Sequence, residues 1–226
     1  MSITKNLNFL TEFIKYTAKG FSVCKIYQIL ELKKLDIKNE IIEFGSDNYD
    51  ESLIKFRKKN SKYVFFSNIS KIVKKNYLCI DLEKKNIIKR KFKNILVFNV
   101  LEHIHNDGNA ISEFYKILKS KGKLYISTPF LYRYHEAPKD YKRYTTEYFG
   151  KILKDKNFKI KKKISLGTGP FLASYSLLFD YLNKIPLIPV PFLILCFLID
   201  FLISLFHENR KNKFYPVCIF IIAEKK

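Results

Sequence analysis

The chain has 226 residues, 47% of them hydrophobic and 28% charged, which is enough for one domain with an addition. This composition excludes an intrinsically disordered or collagen-like chain. The formal net charge is +21, but only five of the 42 basic residues are arginines. Because base readout relies on the planar arginine fork, the charge does not favour a nucleic-acid-binding protein. An anionic membrane surface is the better match for a charge carried by lysine.

The cysteines and the first residues bear on the compartment of the protein. Cys24, Cys79, Cys196 and Cys218 lie far apart and form no Cys-x-x-Cys pair. This spacing favours neither a disulfide framework nor structural zinc, so a reducing compartment is expected. The polar beginning of the chain contains no long apolar run, unlike a secretory signal. We therefore expect the protein in the cytoplasm or peripherally on the inner face of the membrane.

Apolar runs and helical spacings alternate along the chain. Helices are predicted within 5–36, around 110–118 and after Thr145, whose side chain is suited to an N-cap. Strands are predicted at 41–44, 63–66, 77–80, 95–98, 124–127, 158–164 and 217–223. Strands that alternate with helices indicate an α/β fold with a doubly wound, mostly parallel sheet, here of seven strands.

The pattern divides the chain into three parts. Residues 1–39 form an N-terminal helical lead. Residues 40–170 and 214–226 carry the strands of the main domain, and residues 171–213 form an apolar helical insertion before the last strand.

Polar residues follow the first predicted strand, where a doubly wound sheet binds its ligands. The sequence there is Glu43-Phe44-Gly45-Ser46-Asp47-Asn48. A glycine in this turn lets the backbone approach a ligand closely, and the neighbouring acids and amides can bond hydroxyl or ammonium groups. An ordinary turn glycine is the alternative at this position.

Three segments around the fourth and fifth strands carry a more specific signal. They are Val100-Leu101-Glu102-His103-Ile104, Glu113-Phe114-Tyr115-Lys116-Ile117-Leu118-Lys119 and Gly122-Lys123-Leu124-Tyr125-Ile126-Ser127-Thr128-Pro129-Phe130. Together they resemble the class I S-adenosylmethionine-dependent methyltransferases. The stretch from His135 to Thr145 is similar to a branch associated with surface-polysaccharide and glycolipid gene sets. The resemblance covers residues 38–165 and the final strand, and it implies S-adenosylmethionine as the cofactor.

The resemblance assigns residues at the strand ends to the cofactor. Glu43 and Gly45 occupy the first cofactor motif, and Ser46 and Asp47 form the turn in which the family has further glycines. Asn68 stands where the family has an acid for the ribose hydroxyls.

Two later strand ends complete the implied cofactor site. Asp81 matches the residue that meets the adenine amino group, with Leu82 packing nearby, and Asn99 lies beside the expected methyl-transfer centre. Lys93 stands where the family has an acid at the start of the fourth strand. The lost glycines keep a second class of function open, a non-catalytic binding or assembly protein with the same fold.

His135 follows the fifth strand, at the edge where an acceptor would enter. The resemblance implies methyl transfer to an oxygen, and a histidine is suited to remove the hydroxyl proton near neutral pH. We assign His135 as this base and Asp140 as the residue that orients it. Arg143 and Tyr141 are assigned to bind a sugar or an anion. An Asp140–Arg143 ion pair without a catalytic role is the alternative.

The other histidines are weaker candidates. His103 is expected to pack beneath the cofactor or to contact the substrate rather than to transfer a proton. His105 and His207 have no convincing partner, and four scattered histidines do not predict a metal site.

The apolar insertion has one charged residue, Asp200, between Ile185 and Phe206. Its length suffices for a membrane span, but prolines interrupt its first third and leave 192–206 as the helix candidate. A single crossing would also separate the final strand from its sheet, and Asp200 argues against deep burial in a bilayer.

We therefore expect this helix to lie at an anionic membrane surface. The basic residues expected to meet the headgroups are His207, Arg210, Lys211 and Lys213. A homodimer interface and an apolar cap over the active site are the alternatives.

The expected function is O-methylation of a sugar hydroxyl on a saccharide or lipid-linked glycan, which would be the acceptor partner. This acceptor follows from the resemblance alone. Methylation of a membrane quinone or lipid is the second enzyme hypothesis.

Overall fold

The computed structural model describes residues 3–48, 50–57, 63–69, 76–85, 88–206 and 214–226. The helices are α1 (Ile3–Thr17), α2 (Val23–Lys33), α3 (Asp107–Ile117), α4 (Thr146–Asp155), α5 (Pro170–Leu182) and α6 (Pro189–Phe206). The strands are β1 (Ile41–Phe44), β2 (Val64–Asn68), β3 (Tyr77–Cys79), β4 (Phe92–Phe98), β5 (Leu118–Pro129), β6 (Phe158–Leu166) and β7 (Cys218–Lys225).

The seven strands form one sheet in the order β3-β2-β1-β4-β5-β7-β6. β1 pairs in parallel with β2 and β4, and the pairs β2–β3 and β4–β5 are parallel as well. The predicted doubly wound, mostly parallel seven-stranded sheet is therefore confirmed. The strand order reverses between β1 and β4, and such a reversal opens a crevice at the carboxyl ends of the strands.

The register of the central strands brings their ends to one edge. Phe44, the last residue of β1, pairs with Ser67 of β2 and with Val97 of β4. Gly45 directly follows β1 and Asn99 directly follows β4, so both residues emerge at this edge of the sheet.

The apolar face of α3 packs against the sheet below this edge. Ala110, Ile111, Phe114 and Ile117 are buried at the spacing of one helical face. The ring of Phe114 lies 5.1 Å from that of Phe44 in an edge-to-face contact. The end of β1 is therefore held by the same core that anchors α3.

Two details of the predicted elements can be compared with the structure. Thr145 is the N-cap of α4, as predicted, because its side chain accepts a hydrogen bond from the backbone of Tyr148 at 3.1 Å. β5 begins at Leu118 rather than at the predicted residue 124, since the segment containing Gly122 pairs irregularly with β4 and belongs to the strand.

The chain forms two compact units. The helical unit consists of residues 1–30, 130–133 and 165–218, and the sheet unit consists of residues 31–129, 134–164 and 219–226. The predicted N-terminal lead and the predicted insertion thus contribute to one unit.

Aromatic side chains form the interior of the helical unit. Phe13 of α1 is fully buried and packs edge-on against Tyr27 of α2 and Phe197 of α6. α6 begins at Pro189, earlier than the predicted residue 192. Prolines are tolerated in the first turn of a helix, because the backbone N–H groups of that turn have no partner within the helix and proline lacks only this group. The predicted headgroup contacts of His207, Arg210, Lys211 and Lys213 lie outside the described residues.

Candidate functional site

A cavity of about 350 Å³ opens at the carboxyl ends of the central strands, a size typical of small-molecule sites. The residues of its wall are Phe44, Gly45, Ser67, Asn68, Ile69, Ile80, Asp81, Leu82, Glu83, Asn99, Val100, His103, Ile104, Ala137, Pro138, Lys139 and Tyr141. All of them belong to the sheet unit. The cavity is therefore built from the ends of four strands, the turn after β4 and the loop after β5.

The cavity brings together part of the predicted site. The predicted residues in its wall are Gly45, Asn68, Asp81, Leu82, Asn99, His103 and Tyr141. The predicted residues outside its wall are Glu43, Ser46, Asp47, His135, Asp140 and Arg143. The wall thus holds most of the residues assigned to the cofactor, while the proposed base His135, its partner Asp140 and Arg143 lie outside it.

Gly45 has a conformation and a neighbour that favour glycine. Its φ is +84°, in the left-handed region that other residues rarely adopt. A Cβ atom at this position would lie 2.5 Å from Cγ2 of Val100, well inside van der Waals contact. The first glycine of the family motif is therefore retained at the place where the backbone needs it.

Glu43, assigned to the first cofactor motif, is hydrogen-bonded by the chain itself, and its part in cofactor binding stays a prediction. Its buried carboxylate accepts hydrogen bonds from the backbone N–H groups of Leu53 at 2.8 Å and Ile54 at 3.1 Å. The hydroxyl of Ser46 donates to the same carboxylate at 3.1 Å. A buried carboxylate needs such donors, so Glu43 and Ser46 fix the loop after β1.

Asn68, in the place of the family's ribose acid, is paired with Asp47. Its Nδ2 donates to Oδ1 of Asp47 at 2.9 Å, and its Oδ1 accepts the backbone N–H of Ile69 at 2.8 Å. The carboxylate of Asp47 therefore lies next to Asn68, the amide at the position of the expected acid.

Asp81 lies in the cavity wall after β3 and is held by a local network. Its Oδ1 accepts the backbone N–H of Glu83 at 3.0 Å. Glu83 in turn accepts the backbone N–H groups of His105 at 2.6 Å and Asn106 at 3.2 Å. The loop after β3 is thereby connected to the turn before α3. The sequence contained no signal for this role of Glu83.

Asp107, at the start of α3, holds the loop that follows β5. Its carboxylate accepts hydrogen bonds from Nζ of Lys142 at 2.6 Å and from the hydroxyl of Tyr148 at 2.5 Å. Burial opposes its ionisation, but these two hydrogen bonds keep the pKa of Asp107 below its ordinary value. The hydroxyl of Tyr144 also donates to the carbonyl of Leu101 at 2.8 Å. The loop is thus fixed beside the cavity.

Asp140 connects Arg143 with His135. The two terminal nitrogens of Arg143 lie 2.5 and 2.6 Å from the two carboxylate oxygens of Asp140. The backbone N–H of His135 donates to Oδ2 of Asp140 at 2.9 Å, and Nδ1 of its ring lies 3.4 Å from the same oxygen. The hydrogen bonds from Arg143 lower the pKa of Asp140 to about 2. Asp140 and Arg143 therefore form the ion pair of the alternative interpretation, and the same carboxylate also faces His135.

His103 lines the cavity and lies beside a buried carboxyl group. Its ring is 4.8 Å from that of His135, edge to face, and its Nε2 is 4.0 Å from Oε1 of Glu102. Glu102 is fully buried, and this burial raises its pKa to about 8. The sequence placed Glu102 beside His103 in one motif, but nothing in it indicated that His135 lies with them.

Comparison with known proteins agrees with this geometry. Residues 31–126 match a family model described as a methyltransferase domain. No curated protein matches the chain.

Solved structures show the same fold at low sequence identity. An S-adenosylmethionine-dependent methyltransferase from Mesorhizobium loti has a TM-score of 0.58 at 10% identity, over 90% of this chain and 98% of that one. Coclaurine N-methyltransferase bound to N-methylheliamine and SAH has a TM-score of 0.55 at 11% identity, over 89% and 72% of the two chains. A Haloferax volcanii protein in complex with the Trm112 methyltransferase activator has a TM-score of 0.55 at 10% identity, over 89% and 88%.

The family match covers the segment that forms the central strands and most of the cavity wall. The fold adds the sheet order and the crevice at the strand reversal. Together they show the fold of the class I methyltransferases, with the match to a methyltransferase domain over residues 31–126.

Proposed function

We propose that the chain methylates a sugar hydroxyl of a saccharide or lipid-linked glycan. The observation that carries the proposal is the cavity at the strand reversal, in which Gly45 and Asp81 meet His103 and Tyr141. The cofactor is supported by the family match and by this cavity. The sugar acceptor is supported by the resemblance of residues 135–145 alone.

The wall residues fit S-adenosylmethionine. Gly45 lets the backbone turn at φ +84° close to Val100 in the cavity wall, and Asp81 offers a carboxylate for an amino group. Asn68 and the adjacent Asp47 provide oxygen acceptors for hydroxyl groups. When bound, the cofactor supplies an electrophilic methyl group. The chain itself has to position the acceptor and exclude water.

The acceptor side of the proposal rests on the loop after β5. Tyr141 offers a partly exposed ring and a hydroxyl in the cavity wall, both suited to a sugar. His135 is the proposed base, and Asp140 holds its backbone and faces its ring. Arg143 contributes by fixing Asp140, and its contact with an acceptor stays a prediction.

Two measurements test this function. Calorimetry with S-adenosylmethionine should give saturable binding, weakened by Asp81→Ala and unchanged by Asp155→Ala, an exposed aspartate at the end of α4. Labelled methyl groups should then pass from the cofactor to cell extract, and acid hydrolysis should release a methylated sugar. Label found only on a quinone or an acyl lipid would support the second enzyme hypothesis and overturn the sugar acceptor.

The helices α5 and α6 and the turn between them are here called the α5–α6 hairpin. Its exposed apolar surface supports a membrane-associated acceptor. By length and composition, α6 is the one described helix that could cross a membrane, and only 17% of it is buried. Exposed apolar side chains lie on one face of each helix. On α6 and in the turn before it they are Ile185, Leu187, Ile188, Ile194, Leu195, Leu198, Phe201, Leu202, Leu205 and Phe206. A monomeric soluble protein rarely exposes an apolar patch of this extent.

Asp200 does not interrupt this surface. Its buried carboxylate accepts hydrogen bonds from the hydroxyl of Thr168 at 2.9 Å and from the backbone N–H groups of Phe171 and Leu172 at 3.0 Å. These N–H groups lie in the first turn of α5 and have no partner within that helix. The expectation that Asp200 opposes burial of α6 is corrected, because its charge lies inside the helical unit.

The outer face of the hairpin suits lipid better than a protein partner. The hydroxyls of Ser174 and Ser204 donate to backbone carbonyls of their own helices, Pro170 at 2.9 Å and Phe201 at 2.6 Å. These two hydroxyls therefore have partners within their own helices, as hydroxyls that face hydrocarbon require. Exposed Lys184 in the turn and the net charge of +21 match anionic headgroups. We propose an anionic bilayer on the cytoplasmic side as the occupant of this face.

A further inference from the structure

Glu102, His103 and His135 form a cluster of potential metal ligands beside the cavity. One donor atom from each residue lies within 4.8 Å of the other two. His103 belongs to the cavity wall, whereas Glu102 and His135 do not line the cavity. The cluster joins the turn after β4 to the loop after β5.

Glu102 is the most unusual member of the cluster. It is fully buried, and neither of its carboxylate oxygens has a hydrogen-bond partner on another described residue. A buried carboxyl group without hydrogen-bond partners is costly, so such groups are rare in folded proteins. The nearby Arg143 uses both terminal nitrogens on Asp140. A bound cation would therefore satisfy a group that the chain leaves unsatisfied.

The ring of His103 is oriented as that of a metal ligand is. Nδ1 of His103 lies 2.7 Å from the carbonyl oxygen of Lys139, which can only accept, so Nδ1 carries the proton and Nε2 keeps its lone pair. This Nε2 is the atom that lies 4.0 Å from Glu102. His135 has Asp140 3.4 Å from its own Nδ1. A carbonyl or carboxylate on the second ring nitrogen is the usual partner of a metal-bound histidine.

We propose that Glu102, His103 and His135 bind a divalent transition metal ion, with Zn²⁺ as the ion that the donor set fits best. Two imidazole nitrogens and one carboxylate form an open site, with a fourth position for water or another oxygen. Donors around tetrahedral Zn²⁺ are roughly 3.3–3.6 Å apart, so the present separations close by small side-chain rotations. The side chain of His135 is 25% exposed and gives the ion access from solvent.

The role of the metal in methyl transfer rests on the proposed function, whereas metal binding does not. An acceptor hydroxyl on the fourth position would have a lower pKa and lose its proton to water more easily. In that case His135 would act as a ligand through Nε2 and could not also remove the proton there.

Cobalt spectroscopy tests the site directly. The full chain is treated with a chelator, desalted and titrated with CoCl₂, and we expect visible d–d bands that Zn²⁺ then abolishes. Glu102→Gln and His135→Ala should weaken Co²⁺ binding by more than about 100-fold, beyond the 10–100-fold of outer-shell partners. His105→Ala is the matched control, because its ring packs on Tyr141 outside the cluster, and it should bind Co²⁺ like the parent.

Footprinting keeps the proposal testable if a ligand variant fails to fold. Diethylpyrocarbonate modifies accessible histidines, and Zn²⁺ should protect His135, which is 25% exposed, at least about tenfold more than His105. Absence of Co²⁺ bands at millimolar metal, or equal protection of His135 and His105, would overturn the site. Metal binding without cofactor binding would contradict the proposed function alone, and methyl transfer unchanged in chelator would remove the catalytic role of the metal.

Discussion

Gly45 and Val100 approach so closely that residue 45 has no room for a side chain. A Cβ would lie 2.5 Å from Cγ2 of Val100, and the φ of +84° would strain any other residue. Forcing an alanine into this backbone conformation costs about 1–2 kcal/mol. If the loop moves instead, a similar cost appears as about tenfold weaker binding of the cofactor. We expect Gly45→Ala to weaken S-adenosylmethionine binding by about tenfold or more in calorimetry.

A second glycine provides the control for this experiment. Gly108, in the first turn of α3, has its nearest neighbours at 3.9 Å from a built Cβ. Gly108→Ala should therefore leave cofactor affinity unchanged and stabilise the chain by up to about 1 kcal/mol. Adding Val100→Ala to Gly45→Ala relieves the contact but not the φ strain, so recovery should be partial. Full affinity in Gly45→Ala would contradict the role of this turn.

Asp107 should make stability depend on acid pH. Its pKa lies below the ordinary value of 3.8, since Lys142 and Tyr148 donate to its carboxylate despite the opposing effect of burial. A lowered carboxyl pKa stabilises the fold fully above the ordinary value, and this contribution is lost as the pH falls through the folded-state pKa. Asp107→Asn should therefore cost about 1–3 kcal/mol at pH 7 and progressively less below about pH 4.

Urea denaturation from pH 3 to pH 8 measures this dependence. Asp155→Asn, at an exposed position, should follow the parent at every pH. A constant difference between Asp107→Asn and the parent across the range would show that its charge is not the source of the stabilisation.

His135 can be separated from the cofactor site because it does not line the cavity. Whether His135 acts as the base or as a ligand of the metal, His135→Ala should lower turnover by roughly 10²–10⁴-fold while S-adenosylmethionine affinity stays near that of the parent. Single-turnover kinetics and calorimetry report these two quantities separately. His105→Ala should retain turnover. Loss of cofactor affinity in His135→Ala would instead give His135 a structural role.

The α5–α6 hairpin should bind vesicles that contain anionic lipid. Leu195 and Leu198 are about half exposed on its apolar face, so Leu195→Glu and Leu198→Glu should each reduce co-flotation with phosphatidylglycerol vesicles. Salt should weaken binding without abolishing it, because the apolar contribution is not screened. Tyr63→Glu, which adds the same charge at an exposed position of the sheet unit, should float like the parent.

The same variants distinguish lipid from a second copy of the chain. Light scattering that shows a dimer in the parent and a monomer in Leu195→Glu would assign the apolar face to self-association. A parent that stays in the soluble fraction at low salt would contradict the membrane proposal.

The sheet could be predicted from sequence because its signals are local. Each buried strand is a short apolar run, and Thr145 marks a helix start through a hydrogen bond three residues away. The extent of β5 could not be predicted in the same way, because the pairing of residues near Gly122 depends on β4.

The site was less predictable because its contacts join distant segments. Glu43 was assigned to the first cofactor motif, but the hydrogen bonds that its carboxylate accepts from the backbone N–H groups of Leu53 and Ile54 could not be predicted. Glu102 and His135 belong to different loops, so no spacing rule in the sequence could bring them together. Asp200 was expected to oppose burial of its helix, because its hydrogen bonds to the first turn of α5 could not be predicted from the sequence.

The position of β7 between β5 and β6 has a consequence for synthesis of the protein. In a nascent chain that has produced six strands, the edges of β5 and β6 that β7 will join stay open until residues 218–225 arrive, and the apolar α5–α6 hairpin is made within that interval. Open edges and exposed apolar helices both promote aggregation. Mutations that slow the insertion of β7 should therefore reduce the yield of soluble protein even where the completed fold tolerates them.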